Sequence, residues 1–151
     1  MDMLSEYQTI VNGLHEAFYE YYMIYNKGAK KLDEYNLTVQ QENMMLYIMR
    51  NPRVTANAIA AKFSISKSAV SQVLSKLEAR HFIVRENNPD NRRESFVILG
   101  EEGEKYAQLI DEADATFVRT YFSHIEIDDL KQMLQTMQKI NKLIMESKQE
   151  T

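Results

Sequence analysis

The sequence predicts a mostly α-helical fold with one small β-hairpin. Apolar residues recur at steps of three and four along most of the chain, which is the helical period. Breakers are scarce: four Gly and two Pro in 151 residues leave room for long helices and too few turns for an all-β protein. Only between Phe82 and Leu99 does the period give way to two β-branched and aromatic runs around a polar turn. The length fits a single domain over residues 1–151, large enough to bury a core without staples.

Each element has its own signals. Tyr7, Ile10, Val11, Leu14, Phe18, Tyr21, Tyr22 and Tyr25 form one stripe on a helix from about Ser5 to Lys30. Lys27, Lys30 and Lys31 near Gly28 suit the negative end of its dipole. Thr38 and Gln41 have capping-box spacing for a second helix that buries Met44, Met45, Ile48 and Met49 and stops at Asn51-Pro52. Thr55 is a natural N-cap for a short helix carrying Ile59, Ala60 and Phe63. Ser66 is another, for a helix to about Arg80. The hairpin follows, with strands Phe82–Arg85 and Ser95–Leu99 about the turn cluster Asn87–Asn91. Glu101, Glu102 and Glu104 then open a helix bearing Tyr106, Leu109, Ile110, Ala113, Phe117, Val118 and Tyr121. A last helix carries Leu130, Met133, Leu134, Met137, Ile140, Leu143 and Ile144.

Composition excludes several function classes. With no cysteine there is no disulfide framework, Cys-ligated zinc or thiol nucleophile. The first residues lack a signal-peptide pattern, and no run of about 18 apolar residues exists, so a cytoplasmic protein with no membrane partner is expected. Glu78-Ala79-Arg80-His81 has the Glu-x-x-His spacing of di-iron bundles, but no second pair accompanies it, and His15 and His124 have no ligand-spaced partner. No phosphate loop or nucleophile elbow is present. The expectation is therefore no catalytic residue, no metal, no cofactor and no enzyme.

Charge is the positive clue. The net charge of −4 hides a middle segment, Arg53 to Arg93, with eight basic residues against three acidic ones. A basic middle in an acidic frame is the footprint of a local polyanion site. Two short helices, a tight turn and a strand–turn–strand make the plan of a winged helix-turn-helix. The Ser66–Arg80 helix tests that plan. At about 100° per residue, Val70, Val73, Leu74 and Leu77 share one side. Ser68, Ser71, Gln72 and Ser75 fall opposite, flanked by Lys76, with Ser66 and Lys67 at the helix start. Short hydroxyls and an amide approach base edges and phosphates closely, where an ordinary solvated face carries Glu–Lys pairs. Arg92-Arg93 occupies the hairpin tip, and inserted arginine suits the negative potential of a narrow minor groove.

Over essentially its full length the chain resembles the MarR family of bacterial transcriptional regulators. The resemblance rests on Leu37–Gln41, Thr55–Ala61, Ser66–Ser71 through Leu77-Glu78, and Asn88–Arg93 through Leu99 to Gly103, in that order and spacing. It implies a homodimer held by terminal helices at about 5–30 and 101–147, around a winged lobe at about 37–100. It also implies a repressor binding double-stranded DNA at a pseudo-palindromic operator, with recognition helices in successive major grooves and a wing arginine in the minor groove. Three positions depart from the family pattern. His81 stands where a left-handed Gly is usual, a change His tolerates at a cost of about 1 kcal/mol. Gly100 replaces a capping Thr. The family's Asp-x-Arg aligns with Asn91-Arg92-Arg93 when counted back from Leu99, but with Asp90-Asn91-Arg92 by residue type, so both arginines stand as candidates.

The same resemblance implies a small aromatic or lipophilic effector. Phe18, Tyr22, Tyr25, Met44 and Met45, with Tyr21, are candidates to line its pocket, and equally to fill a core. The rival function is a helical protein-interaction or ligand-carrier module that does not touch DNA.

Overall fold

The computed structural model describes residues 2–28 and 30–149, the side chains of residues 30 and 31 apart. The dipole role expected of Lys30 and Lys31 therefore lies outside the described residues. The Cα framework divides into two compact units, Met1–Asp111 and Glu112–Thr151.

The first unit begins with α1 (Met3–Gly28), followed by the single turn α2 (Lys30–Asp33), where sequence periodicity predicts one continuous helix. Next comes α3 (Val39–Arg50), opened by the expected capping box. Thr38 Oγ1 accepts from the Gln41 N–H at 3.1 Å, and the Gln41 side chain accepts from the Thr38 N–H at 2.9 Å. Two of the helix's otherwise orphaned donors are satisfied this way. The short strand β1 (Val54–Thr55) leads into α4 (Ala56–Phe63), where the Thr55 hydroxyl accepts from the Ala58 N–H at 3.1 Å. Then comes α5 (Lys67–Ala79), whose N-cap Ser66 accepts from the Ala69 N–H at 3.0 Å.

The wing is β2 (Ile83–Asn87) and β3 (Ser95–Leu99), paired antiparallel with Arg85 opposite Val97. The sheet differs from the expected hairpin by one strand. Val54 and Thr55 pair with Val97 and Phe96, giving the order β1-β3-β2. Two residues following a left-handed Arg53 (φ 59°) show no alternating pattern, so sequence periodicity has nothing to detect there.

The core of this unit lies under the sheet and between α3, α4 and α5. Met44, Met45, Ile59, Val70, Leu74, Leu77, Phe82, Ile83 and Val97 are all buried. Val73, expected on the same side, is half-buried. Tyr35, Phe82 and Tyr106 meet edge-to-face, with ring centroids 5.3–6.2 Å apart.

The helix α6 (Glu101–Thr120) starts against the α5–β2 turn. His81 is left-handed there (φ 63°), as its place in the family pattern implies. Its carbonyl accepts from the Glu102 N–H at 3.0 Å, and the Phe82 carbonyl accepts from the Gly100 N–H at 2.9 Å. Gly100 is thus not merely a weaker cap. A Cβ there would stand 2.5 Å from the His81 carbonyl oxygen, and one at Gly103 would run into the Phe82 carbonyl. Both glycines are set by close backbone approach.

The second unit contains the end of α6, a 3-10 turn at Phe122–His124 and α7 (Ile127–Gln149). No residue of α7 is buried, and Leu134, Leu143 and Met145 are each about 60% exposed. No described helix is long and apolar enough to cross a membrane.

Candidate nucleic-acid interface

The caps and the apolar side of α5 decide which way its polar face looks. Val70, Leu74 and Leu77 are drawn into the core, so Ser68, Ser71, Gln72, Ser75 and Lys76 are left outside, all exposed. These five line one open concavity. Lys67 is exposed at the start of the same helix, and the Ser66 hydroxyl is engaged in capping it. The seven α5 residues singled out by sequence thus share one accessible side and its N-terminus.

One residue that sequence reasoning missed fixes this face. Arg85 reaches from β2, and its Nη2 donates to the Ser71 carbonyl and to Ser75 Oγ, each at 3.2 Å. Its backbone N–H donates to Glu78 Oε2 at 3.3 Å. Arg85 Nε is buried without a partner among the described residues. The wing is tied in the same way to α4, where Asn57 Nδ2 donates to Glu94 Oε1 at 2.9 Å. The available signal was weak: an arginine inside a strand otherwise read as half-buried.

Arg92 and Arg93 do not join the α5 concavity. They stand exposed at the hairpin tip, where Asn88 and Asn91 fold the turn. Asn88 Oδ1 accepts from the Asp90 N–H at 3.0 Å, and Asn91 Oδ1 accepts from the Arg93 N–H at 3.2 Å. These Asx contacts fold the tip on which both exposed arginines stand.

A second feature of the first unit is a cavity of about 480 Å³. Tyr22 and Tyr25 line it, together with Asp33, Glu42, Tyr106 and Ile110. Phe18, Met44 and Met45 do not. Both methionines are fully buried, which corrects their candidacy as pocket walls: the apolar side of α3 faces the sheet, and its other side faces the cavity. Among the described residues no group of three or more His, Asp or Glu is placed to hold a metal ion.

Residues 35–94, from the α2–α3 loop to the wing, match the model of the MarR family. This segment is similar to the MarR family. The chain is 27% identical over 120 residues to an uncharacterized HTH-type transcriptional regulator, YwhA of Bacillus subtilis (strain 168), covering 77% of this chain and 86% of that one. Its fold is similar to that of Streptococcus pneumoniae FabT in complex with DNA (TM-score 0.76, 16% identity, 93% of this chain and 98% of that chain). It is also similar to Staphylococcus aureus MarR in complex with salicylate and kanamycin (TM-score 0.67, 17% identity, 94% and 97%). Residues 35–94 thus match the MarR family model, and the chain shares the winged-helix fold of these structures.

Within this lobe the basic residues divide into two sets. Arg53 lies over the Phe96 ring at 4.6 Å, and Lys62 over Tyr47 at 5.9 Å. Arg80 lies over Phe82 at 5.0 Å and donates to the carbonyls of Tyr35 and Asn36. With Arg85 on α5, four of the eight cations of the basic segment hold the lobe together. Lys67, Lys76, Arg92 and Arg93 are exposed on α5 and the wing tip. The positive segment is thus part scaffold and part exposed surface.

Proposed function

We propose that the protein is a homodimeric repressor that binds a pseudo-palindromic operator and is released by a small molecule. The α5 helix enters the major groove, where Gln72 and the serines meet base edges and Ser66, Lys67 and Lys76 meet phosphates. Arg92 or Arg93 reaches the adjacent minor groove. The observation that carries this reading is the outer side of α5: an exposed, concave row of short polar side chains, braced from behind by Arg85. The FabT structure with DNA and the MarR structure with salicylate give the parallels for operator and effector. Dimerisation is supported by the apolar side chains left exposed along α1 and α7.

The test is selection of duplexes from a random pool, followed by titration of the selected site. Paired half-sites about 10 bp apart, centre to centre, are expected. The double variant Arg92→Ala/Arg93→Ala should bind that site roughly ten- to a hundredfold more weakly at physiological salt while remaining dimeric. Unchanged affinity of the double variant would remove the wing from the interface. Absence of any duplex binding at low salt would instead favour an interaction module.

A further inference from the structure

The Arg85 brace decides which half of its hydroxyl Ser75 can offer outward. A serine inside a helix ordinarily turns its hydroxyl back to donate to the carbonyl four residues earlier. Elsewhere in the chain that bond forms: Thr9 Oγ1 donates to the Ser5 carbonyl at 3.0 Å, and Thr116 Oγ1 to the Glu112 carbonyl at 2.8 Å. For Ser75 the carbonyl is that of Ser71, and both of its lone pairs are engaged. The helix gives one to the Ser75 N–H, and Arg85 Nη2 takes the other at 3.2 Å. The same Nη2 donates to Ser75 Oγ at 3.2 Å. The hydroxyl oxygen is thus an acceptor toward the protein, and its proton is left to point away. The pairing is hard to undo. Arg85 Nε is already buried without a partner among the described residues, and losing the Ser75 oxygen would leave a second donor of the same cation short.

We propose that Ser75 is a specificity-determining residue that reads a hydrogen-bond acceptor on a base edge, and that Arg85 is the positioning residue that makes it a donor. The proposal rests on the reading of α5 as the major-groove helix. At about 100° per residue, Ser68 and Ser75 lie at the centre of the exposed side, with Ser71 and Gln72 beside them and Lys67 and Lys76 at the margins. The margins suit phosphates and the centre suits bases. A guanidinium 3.2 Å behind the Ser75 oxygen polarises the O–H outward and repels any further donor that approaches it. Guanine O6 and N7, adenine N7 and thymine O4 therefore match Ser75, and the amino groups of cytosine and adenine do not.

The experiment selects duplexes from a random pool with the wild-type protein, Ser75→Ala and Arg85→Met, and titrates each against the wild-type site over a range of salt. Met keeps much of the side chain's length and removes all of its donors. Ser75→Ala should bind that site roughly five- to tenfold more weakly, accept all four bases at one base pair of each half-site and keep the wild-type salt slope. Arg85→Met should lose preference at the same base pair, and Ser75→Ala/Arg85→Met should bind no more weakly than the weaker single variant. A brace that only stabilised the lobe would lower affinity for all sequences alike and leave the preference intact. Ser75 is exposed, so Ser75→Ala carries the test by itself where Arg85→Met does not fold. A motif that Ser75→Ala selects unchanged overturns the proposal. So does a loss uniform across sequences with a shallower salt slope, which puts Ser75 on a phosphate, and so do single losses that multiply in the double variant. A wild type that selects a motif which Ser75→Ala reproduces refutes this inference alone, whereas a wild type that binds no duplex at low salt refutes the operator reading beneath it.

Discussion

Tyr106 keeps its proton well above the usual tyrosine range, to about 12, because burial disfavours the phenolate and the nearby Glu42 charge disfavours it further. The unfolded chain ionises near the ordinary value of 10.0, so the unfolded state sheds this proton first as pH rises. The contribution to stability is complete below about pH 10 and is lost between about 10 and 12, a change of roughly 2–3 kcal/mol. Urea unfolding at pH 9 and pH 11 should show about half of that loss, and Tyr106→Phe should remove most of it. Residue-scale backbone conformation was only partly legible. All four left-handed residues, Asn36, Arg53, Ser64 and His81, are non-glycine, and no described glycine has positive φ. His81 could be read from its place in the family pattern. Arg53 and Ser64 could not, since their conformations follow from the β1 pairing and the α4–α5 turn rather than from residue type. Gly100 and Gly103 mark contacts with the 81–82 backbone that become visible only once the α6 start is placed.

Helix starts were the most legible elements. Thr38, Thr55 and Ser66 each announce a helix by a local hydrogen bond that the flanking residues alone determine, and each forms that bond. The strand β1 and the brace from Arg85 were not legible, because both depend on which segment the fold brings alongside. Of the residues read as candidate pocket walls, α1 supplies Tyr22 and Tyr25 to the cavity, and α3 supplies Glu42 and Leu46 rather than the methionines. The seam between α6 and the α5–β2 turn gives a prediction at this scale. Gly103→Ala places a methyl against the Phe82 carbonyl, and α6 must retreat to relieve it. The expected cost is about 2 kcal/mol or more, measured as a lowered denaturation midpoint with an unchanged slope. Gly13→Ala, with nothing within 4 Å of the added methyl, serves as the matched control and should be neutral or slightly stabilising.

For the whole molecule, the apolar stripes that sequence assigns to the terminal helices remain uncovered. On α1, Leu4, Tyr7 and Ile10 are more than half exposed, and on α7 Leu134 and Leu143 are as well. Stripes of this kind are costly in water and mark interaction surfaces. Ile10→Asp/Leu143→Asp should shift the protein from dimer to monomer in light scattering and take duplex affinity down with it, since two half-sites then lose their coupling. A double variant that stays dimeric would place the interface elsewhere. The sheet order β1-β3-β2 has a consequence for solubility. Among the described residues the outer edge of β2 has no neighbouring strand, and an open row of backbone donors and acceptors is where foreign strands add and fibrils grow. This margin is five residues long and carries Arg85, Glu86 and Asn87, too short and too polar to template such growth, so the wing can project into solvent without becoming a seed for aggregation.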